Sequence, residues 1–203
     1  MSLAVMLVDL QRDFIAPDGA YGRAGMSSPG ISALPALLAP VVQSARRAGV
    51  PVISCQFTLS PVARREPIIA ADLRRLRPFL GSGDFCPGMP GHGLVDELTP
   101  ADVVVEKVAY SAFHQSRLEW VLRGLGVDDL LVAGIVTNGG VASTVRDACV
   151  RGFSPILIAD GCAAFDDDVH TATVKSLSSI VPTTTASEAV ALLERKAARG
   201  ESA

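Results

Sequence analysis

The chain has 203 residues, 49% of them hydrophobic and 19% charged, with a formal net charge of −3. That length holds one compact domain, residues 1–203, with a sizeable core, and the composition excludes a disordered chain. A mildly acidic balance with only two short basic clusters, "ARREP" and "DLRRLRPF", argues against nucleic-acid or acidic-membrane partners. Each cluster reads as a solvated helix face, with an anion-binding arginine as the alternative.

Met1 runs directly into "LAVMLVDL", an apolar run without a basic flank or cleavage site and too short to span a bilayer. It reads as a buried strand over 4–9, and the chain as a cytoplasmic protein with reduced thiols. A helix follows through "ALPALLAPVVQSARRAG", then a strand over 50–57, a long Gly/Pro-rich excursion and a strand over 102–107. The helix "QSRLEWVLRGLG", the strand "DDLLVAGIV", the helix "GGVASTVRDACVRG" and the strand "SPILIAD" come next. The chain finishes with a helix near "DVHTATVKSLSSI", a short strand "IVPTT" and the helix "ASEAVALLERKAAR". Unbroken Val/Ile/Leu strands alternating with amphipathic helices imply an α/β domain, a parallel sheet covered on both faces. Right-handed crossovers make this a three-layer doubly wound fold. Its ligands bind beyond the carboxyl ends of the strands, where strand order reverses.

That rule selects the strand-end residues Asp9, Gln56, Lys107 and the turn Val136–Gly140. A carboxylate at Asp9 would be partly desolvated, and Lys107 could supply a neighbouring cation. The two would form an acid/base pair, or simply a structural ion pair. The turn "IVTNGGVAST" sets backbone N–H groups at a helix start, and Gly139-Gly140 permits close approach of an oxygen. It is an oxyanion site or only a tight connection. If Gln56 faces the pocket, alternation along the strand turns Cys55 away as a buried small hydrophobe. Cys149 and Cys162 read as packing, Cys86 in "GDFCPGMPG" as the exposed thiol. His92, His114 and His170 share no ligand spacing and read as surface or capping residues. No metal box, phosphate loop or dinucleotide fingerprint is present, so no cofactor is implied.

Taken in order, "AVMLVDLQRDFIAPDGAYGRAG", "VEKVAYSAFHQSRL", "LLVAGIVTNGGVASTVRDACVRGF" and "PILIADGCAAFD" resemble the isochorismatase-like hydrolase superfamily, the cysteine hydrolases. The resemblance implies a Rossmann-like six-stranded parallel sheet, a small-molecule substrate and a homo-oligomer, dimer or tetramer. In the amidase branch an Asp, a Lys and a Cys form the catalytic triad. The Asp matches Asp9 and the Lys matches Lys107, but the Cys position falls on Gly140, which cannot attack a carbon. The branch also implies a cis peptide between Ile135 and Val136 that aims the Val136 and Gly140 N–H groups into the pocket. The metal-binding "D-x-H" of nicotinamidases is absent from "SCQFTLSP", so no metal is implied.

The isochorismatases proper also lack the Cys and cleave a vinyl ether with an Asp as general acid. Gln56 and Arg65 match that branch's Gln and its carboxylate-binding Arg, whose planar fork suits a carboxylate. Its Tyr-Ala-His stretch, however, is Val136-Thr137-Asn138 here. The resemblance therefore implies Asp9, Lys107 and Gly140 as the catalytic positions. Gln56, Arg65, Val136, Gly139 and Phe14 are the expected substrate contacts. The expected activity is hydrolysis without a covalent intermediate, vinyl-ether cleavage of a carboxylated substrate being one form. The alternative is an inactive homologue that only binds small molecules.

Overall fold

The structure, a computed structural model, describes residues 2–200; Met1 and 201–203 lie outside it. Strand β1 (Ser2–Val8) leads through two single-turn helices, α1 (Arg12–Ile15) and α2 (Ala20–Arg23), to the long α3 (Pro29–Arg47) and to β2 (Val52–Phe57). The excursion folds as an antiparallel hairpin, β3 (Ser60–Val62) and β4 (Arg65–Ile68), followed by α4 (Ala71–Leu76). The second half alternates β5 (Val103–Lys107), α5 (Leu118–Gly124), β6 (Val127–Ile135), α6 (Ala142–Val150), β7 (Ser154–Ala163), α7 (Asp167–Leu177), β8 (Thr183–Thr184) and α8 (Ala186–Ala198).

The main sheet has six strands in the order β5-β2-β1-β6-β7-β8, all parallel. This is the expected doubly wound α/β architecture. Alternation along β1 shows why its sequence is apolar throughout. Leu3, Val5 and Leu7 face the core under α3 and α8, while Ala4, Met6 and Val8 face the core under α5 and α6. Among the described residues no helix is long and apolar enough to cross a membrane.

Strand order reverses between β1 and β6, where a crevice must open. The two strands meet at Val8↔Gly134, and here glycine is required. Gly134 has φ +137°, and a Cβ on it would lie 2.0 Å from the Val8 carbonyl oxygen.

Three boundaries differ from the sequence reading. α3 starts at Pro29, a ready-made first-turn residue, rather than at Ala33. β7 runs on to Ala163 through a register shift, taking Cys162 into the sheet. The last strand shrinks to Thr183–Thr184 because Ile180 and Val181 close the end of α7 and Pro182 has no N–H to give a ladder.

Candidate active site

The chain leaves β1 with Asp9 in a left-handed conformation, φ +58°, a region that Asp tolerates better than most residues. Its N–H donates to the Cys55 carbonyl at 2.9 Å, which aims the carboxylate across the end of β2. There Oδ1 accepts the Phe57 N–H at 3.0 Å, and Oδ2 meets Lys107 Nζ at 2.7 Å. Phe57 is further pinned by Gln11, a fully buried side chain that accepts the Phe57 N–H and donates to the carbonyls of Phe57 and His92.

Lys107 closes β5, two strands from β1, and its side chain spans the end of β2 to reach Asp9. Besides Asp9, the ammonium donates to the Ala109 carbonyl at 3.0 Å and the Tyr110 carbonyl at 3.4 Å. Its three N–H bonds are therefore all engaged. Both side chains are buried, 2% and 6% exposed. Burial raises the Asp9 carboxyl above its ordinary value, against the opposing pull of Lys107 and the Phe57 N–H. A raised carboxyl beside a fixed cation can hold a proton and release it, as acid/base work requires.

β6 ends in a cis peptide between Ile135 and Val136, where the resemblance implies one. The wide turn Thr137–Val141 then leads into α6, with the Gly139 N–H donating to the Val136 carbonyl at 3.0 Å. Thr137 is fully buried and its hydroxyl bonds His170 Nδ1 of α7 at 2.8 Å. Gly140 packs directly against the acid. A Cβ there would lie 2.7 Å from Asp9 Oδ2, 3.1 Å from the Ile135 oxygen and 3.4 Å from Val8 Cγ1. No side chain fits at 140 unless the carboxylate moves.

These groups form the floor of a cavity of about 390 Å³. Phe14, Tyr21, Phe57, Tyr110 and Phe165 supply aromatic walls; Val136, Asn138, Gly139 and Ser143 come from the turn and α6. Tyr21 and Phe165 stack with 5.4 Å between centroids, and Phe14 tilts against Tyr21 at 4.8 Å. Helix α4 contributes Asp72, Leu73 and Leu76, and Arg77 follows at its end. Arg77 Nε donates to the Tyr21 hydroxyl at 3.3 Å, and its guanidinium lies 5.8 Å from the ring centroid. It makes no ion pair among the described residues. Burial raises the Tyr21 phenol, which keeps it neutral and able to accept this bond.

Of the residues expected at the site, Asp9, Phe14, Lys107, Val136, Gly139 and Gly140 line the cavity. Gln56 and Arg65 do not. Gln56 shares its strand face with Val52 and Ser54, so its amide turns to the Ser54 hydroxyl at 3.3 Å, and the next residue, Phe57, meets the pocket instead. Arg65 lies on β4, exposed, because the excursion folds back as a hairpin. The arginine in the cavity is Arg77, from the basic cluster whose alternative reading was anion binding. Ser143, on the first turn of α6, also lines the cavity.

Cys86 is buried, its thiol donating to the Leu59 carbonyl at 3.5 Å, so it is not the exposed cysteine. His92 is buried too, bonded through Nε2 to the Thr58 hydroxyl at 2.8 Å; His114 is exposed. Cys55 is packed in the core with its thiol pushed up to about 12, first by burial and then by the Asp9 charge. Among the described residues no three His, Cys, Asp or Glu side chains are grouped to hold a metal ion.

The sequence profile of the Isochorismatase domain matches residues 3–188. A ureidoacrylate amidohydrolase of Methylobacterium radiotolerans is 31% identical over 185 residues, covering 85% of this chain and 72% of the relative. A nicotinamidase of Arabidopsis thaliana is 37% identical over 82 residues, 40% of this chain and 41% of that one. Among solved structures, a cysteine hydrolase from Pseudomonas syringae pv. phaseolicola superposes with a TM-score of 0.82 at 26% identity, covering 96% of this chain and 93% of the other.

Proposed function

Because this chain belongs to the isochorismatase family, we propose that it is a small-molecule hydrolase that works by proton transfer at Asp9 and never bonds its substrate to the protein. One observation carries the reading. The space a nucleophile on residue 140 would need is closed by the Asp9 carboxylate, 2.7 Å from the position of a Cβ. No cysteine lines the cavity, and Cys55 is a buried thiol rather than a thiolate. What remains at the floor is an acid, a cation whose hydrogen bonds are spent, and backbone.

In this reading Asp9 is the general acid/base and Lys107 fixes its carboxylate. The N–H groups of Val136 and Gly140 receive a substrate oxygen. Phe14 and Gly139 shape the walls, and Arg77 takes the anionic end of the substrate. Cleavage of a carboxylated vinyl ether needs only these parts. Asp9 gives its proton to the terminal vinyl carbon, leaving an oxocarbenium at the ether carbon. Water adds there and returns a proton to Asp9, and the hemiketal splits into a ketone and an alcohol.

The thiol-free cavity also favours a second reading, a pocket that binds such molecules without turning them over. Incubating the protein and its Asp9→Asn variant with isochorismate, ureidoacrylate and nicotinamide separates the two, with products followed by chromatography and binding by thermal shift. The first reading expects turnover that Asp9→Asn lowers by about 10²–10⁴-fold. A thermal shift without product supports the second, and full activity in Asp9→Asn defeats the first. We further propose a homo-oligomer, dimer or tetramer, which light scattering of the purified protein reads directly.

A further inference from the structure

The backbone cradle comes from the turn after β6, and the ion pair from the ends of β1 and β5. They function together only if something sets their relative position. Thr144, on the first turn of α6, is fully buried. Its hydroxyl donates to the Gly140 carbonyl at 2.7 Å and accepts the Ala112 N–H at 2.9 Å. A threonine hydroxyl bonding back four residues is common in helices and by itself says little. Here the same oxygen also takes a buried N–H from 32 residues away.

Ala112 belongs to the loop whose Ala109 and Tyr110 carbonyls hold Lys107. Helix α6 grips that loop at a second point, where the Ser111 hydroxyl donates to Asp147 Oδ2 at 2.7 Å. We propose that Thr144 is a positioning residue of the site: its hydroxyl joins the Gly140 peptide to the loop that cradles Lys107, so that the backbone floor and the Asp9–Lys107 pair are held in one register. The proposal rests on the reading above only in taking Asp9 as the working carboxylate.

A hydroxyl is needed because the link requires a donor and an acceptor on one atom. Valine fills the same volume and supplies neither. It leaves the buried Ala112 N–H without a partner, frees the loop and loosens the carbonyl bed of Lys107. A less firmly held ammonium stabilises the Asp9 carboxylate less, so that carboxyl moves up. The other ionisable groups around Asp9 are Cys55 on β2, Tyr21 on α2, and Asp72 of α4, Tyr110 and Arg77 at the cavity wall; His170 on α7 bonds the turn at Thr137. Burial pushes the Cys55 thiol up to about 12 and raises the Tyr21 phenol, favouring the neutral form of both.

The test is a carbon-13 NMR titration of the aspartate carboxyls in the full chain, with Asp9 assigned by its loss in Asp9→Asn. Thr144→Val should move the Asp9 midpoint up by about one pH unit, while Thr144→Ser, which keeps the hydroxyl, should titrate with the parent. A valine variant that titrates with the parent, or a serine variant that moves as far as valine, overturns the proposal. If the valine variant does not fold, Ser111→Ala cuts the second tie and should give a smaller upward shift; no shift overturns it equally. The readout needs no substrate, so loss of the proton-transfer reading through an active Asp9→Asn enzyme would be a separate result.

Discussion

Gly140 separates this site from one built around a nucleophile, and the separation is steric as well as chemical. Even a methyl group at 140 would meet Asp9 Oδ2 at 2.7 Å, well inside contact distance, so the carboxylate or the turn must shift and the Asp9–Lys107 geometry with it. Gly140→Ala should therefore lower turnover by about 10²-fold, the scale of a misplaced catalytic group, with the fold retained by circular dichroism. Unchanged kinetics would show that the contact does not matter. Gly140, in the turn after β6, was singled out by the resemblance, which sets the missing Cys there. Asp9 and Lys107, by contrast, were legible in the sequence because each stands at the end of an apolar strand with a charge the core would not choose. Gln56 misled for the same reason. It too ends a strand, but its side chain lies on the face of Ser54, and strand position alone cannot say which of two successive residues meets the pocket.

At the scale of elements, α4 shows where sequence patterning stops. No residue of this helix is buried, so no apolar stripe announces it; the solvated helix face read at "DLRRLRPF" falls on α4, while the one read at "ARREP" is the turn and strand of the hairpin. Yet α4 brings Leu73, Leu76 and the following Arg77 to the cavity. Arg77 is half-buried against Tyr21 and makes no ion pair among the described residues, so in the proposed function its charge meets the anionic end of the substrate. A charged hydrogen bond contributes roughly 1.5–3 kcal/mol. Arg77→Gln should thus weaken anionic ligands by about 10–100-fold and leave neutral ones nearly unaffected, as isothermal titration would show. Equal weakening of both would mean that Arg77 only props the helix.

Over the whole molecule the parallel sheet and its two helical layers were legible because they follow from alternation of apolar strands with amphipathic helices. The burial of His92 and Cys86 was not, since both sit in the excursion, whose packing against β2 and α1 has no local signature. That burial has a consequence for stability. Desolvation holds His92 below its usual value of 6.5, so the unfolded chain takes up its proton first. Its contribution is complete above about pH 6.5 and is lost as the pH falls through the lowered value. Asp9 acts in the opposite sense. Its carboxyl is raised above 3.8, so its contribution to stability declines as pH rises past that value. The two oppose each other between pH 7 and pH 5, so the check is a difference: over that range the parent's urea midpoint should fall relative to that of His92→Gln, which keeps the Asp9 contribution. Midpoints that stay parallel would assign the pH dependence to other groups.

The proposed hydrolysis without a covalent intermediate is most directly tested by intact-protein mass spectrometry of samples quenched during turnover, in parallel with the same reaction run in deuterated water. Proton transfer from Asp9 to a vinyl carbon predicts a protein of unchanged mass at every time point and one deuterium on the new methyl group of the ketone product. A protein heavier by a substrate fragment, on Ser143, Cys55 or any other side chain, would contradict it.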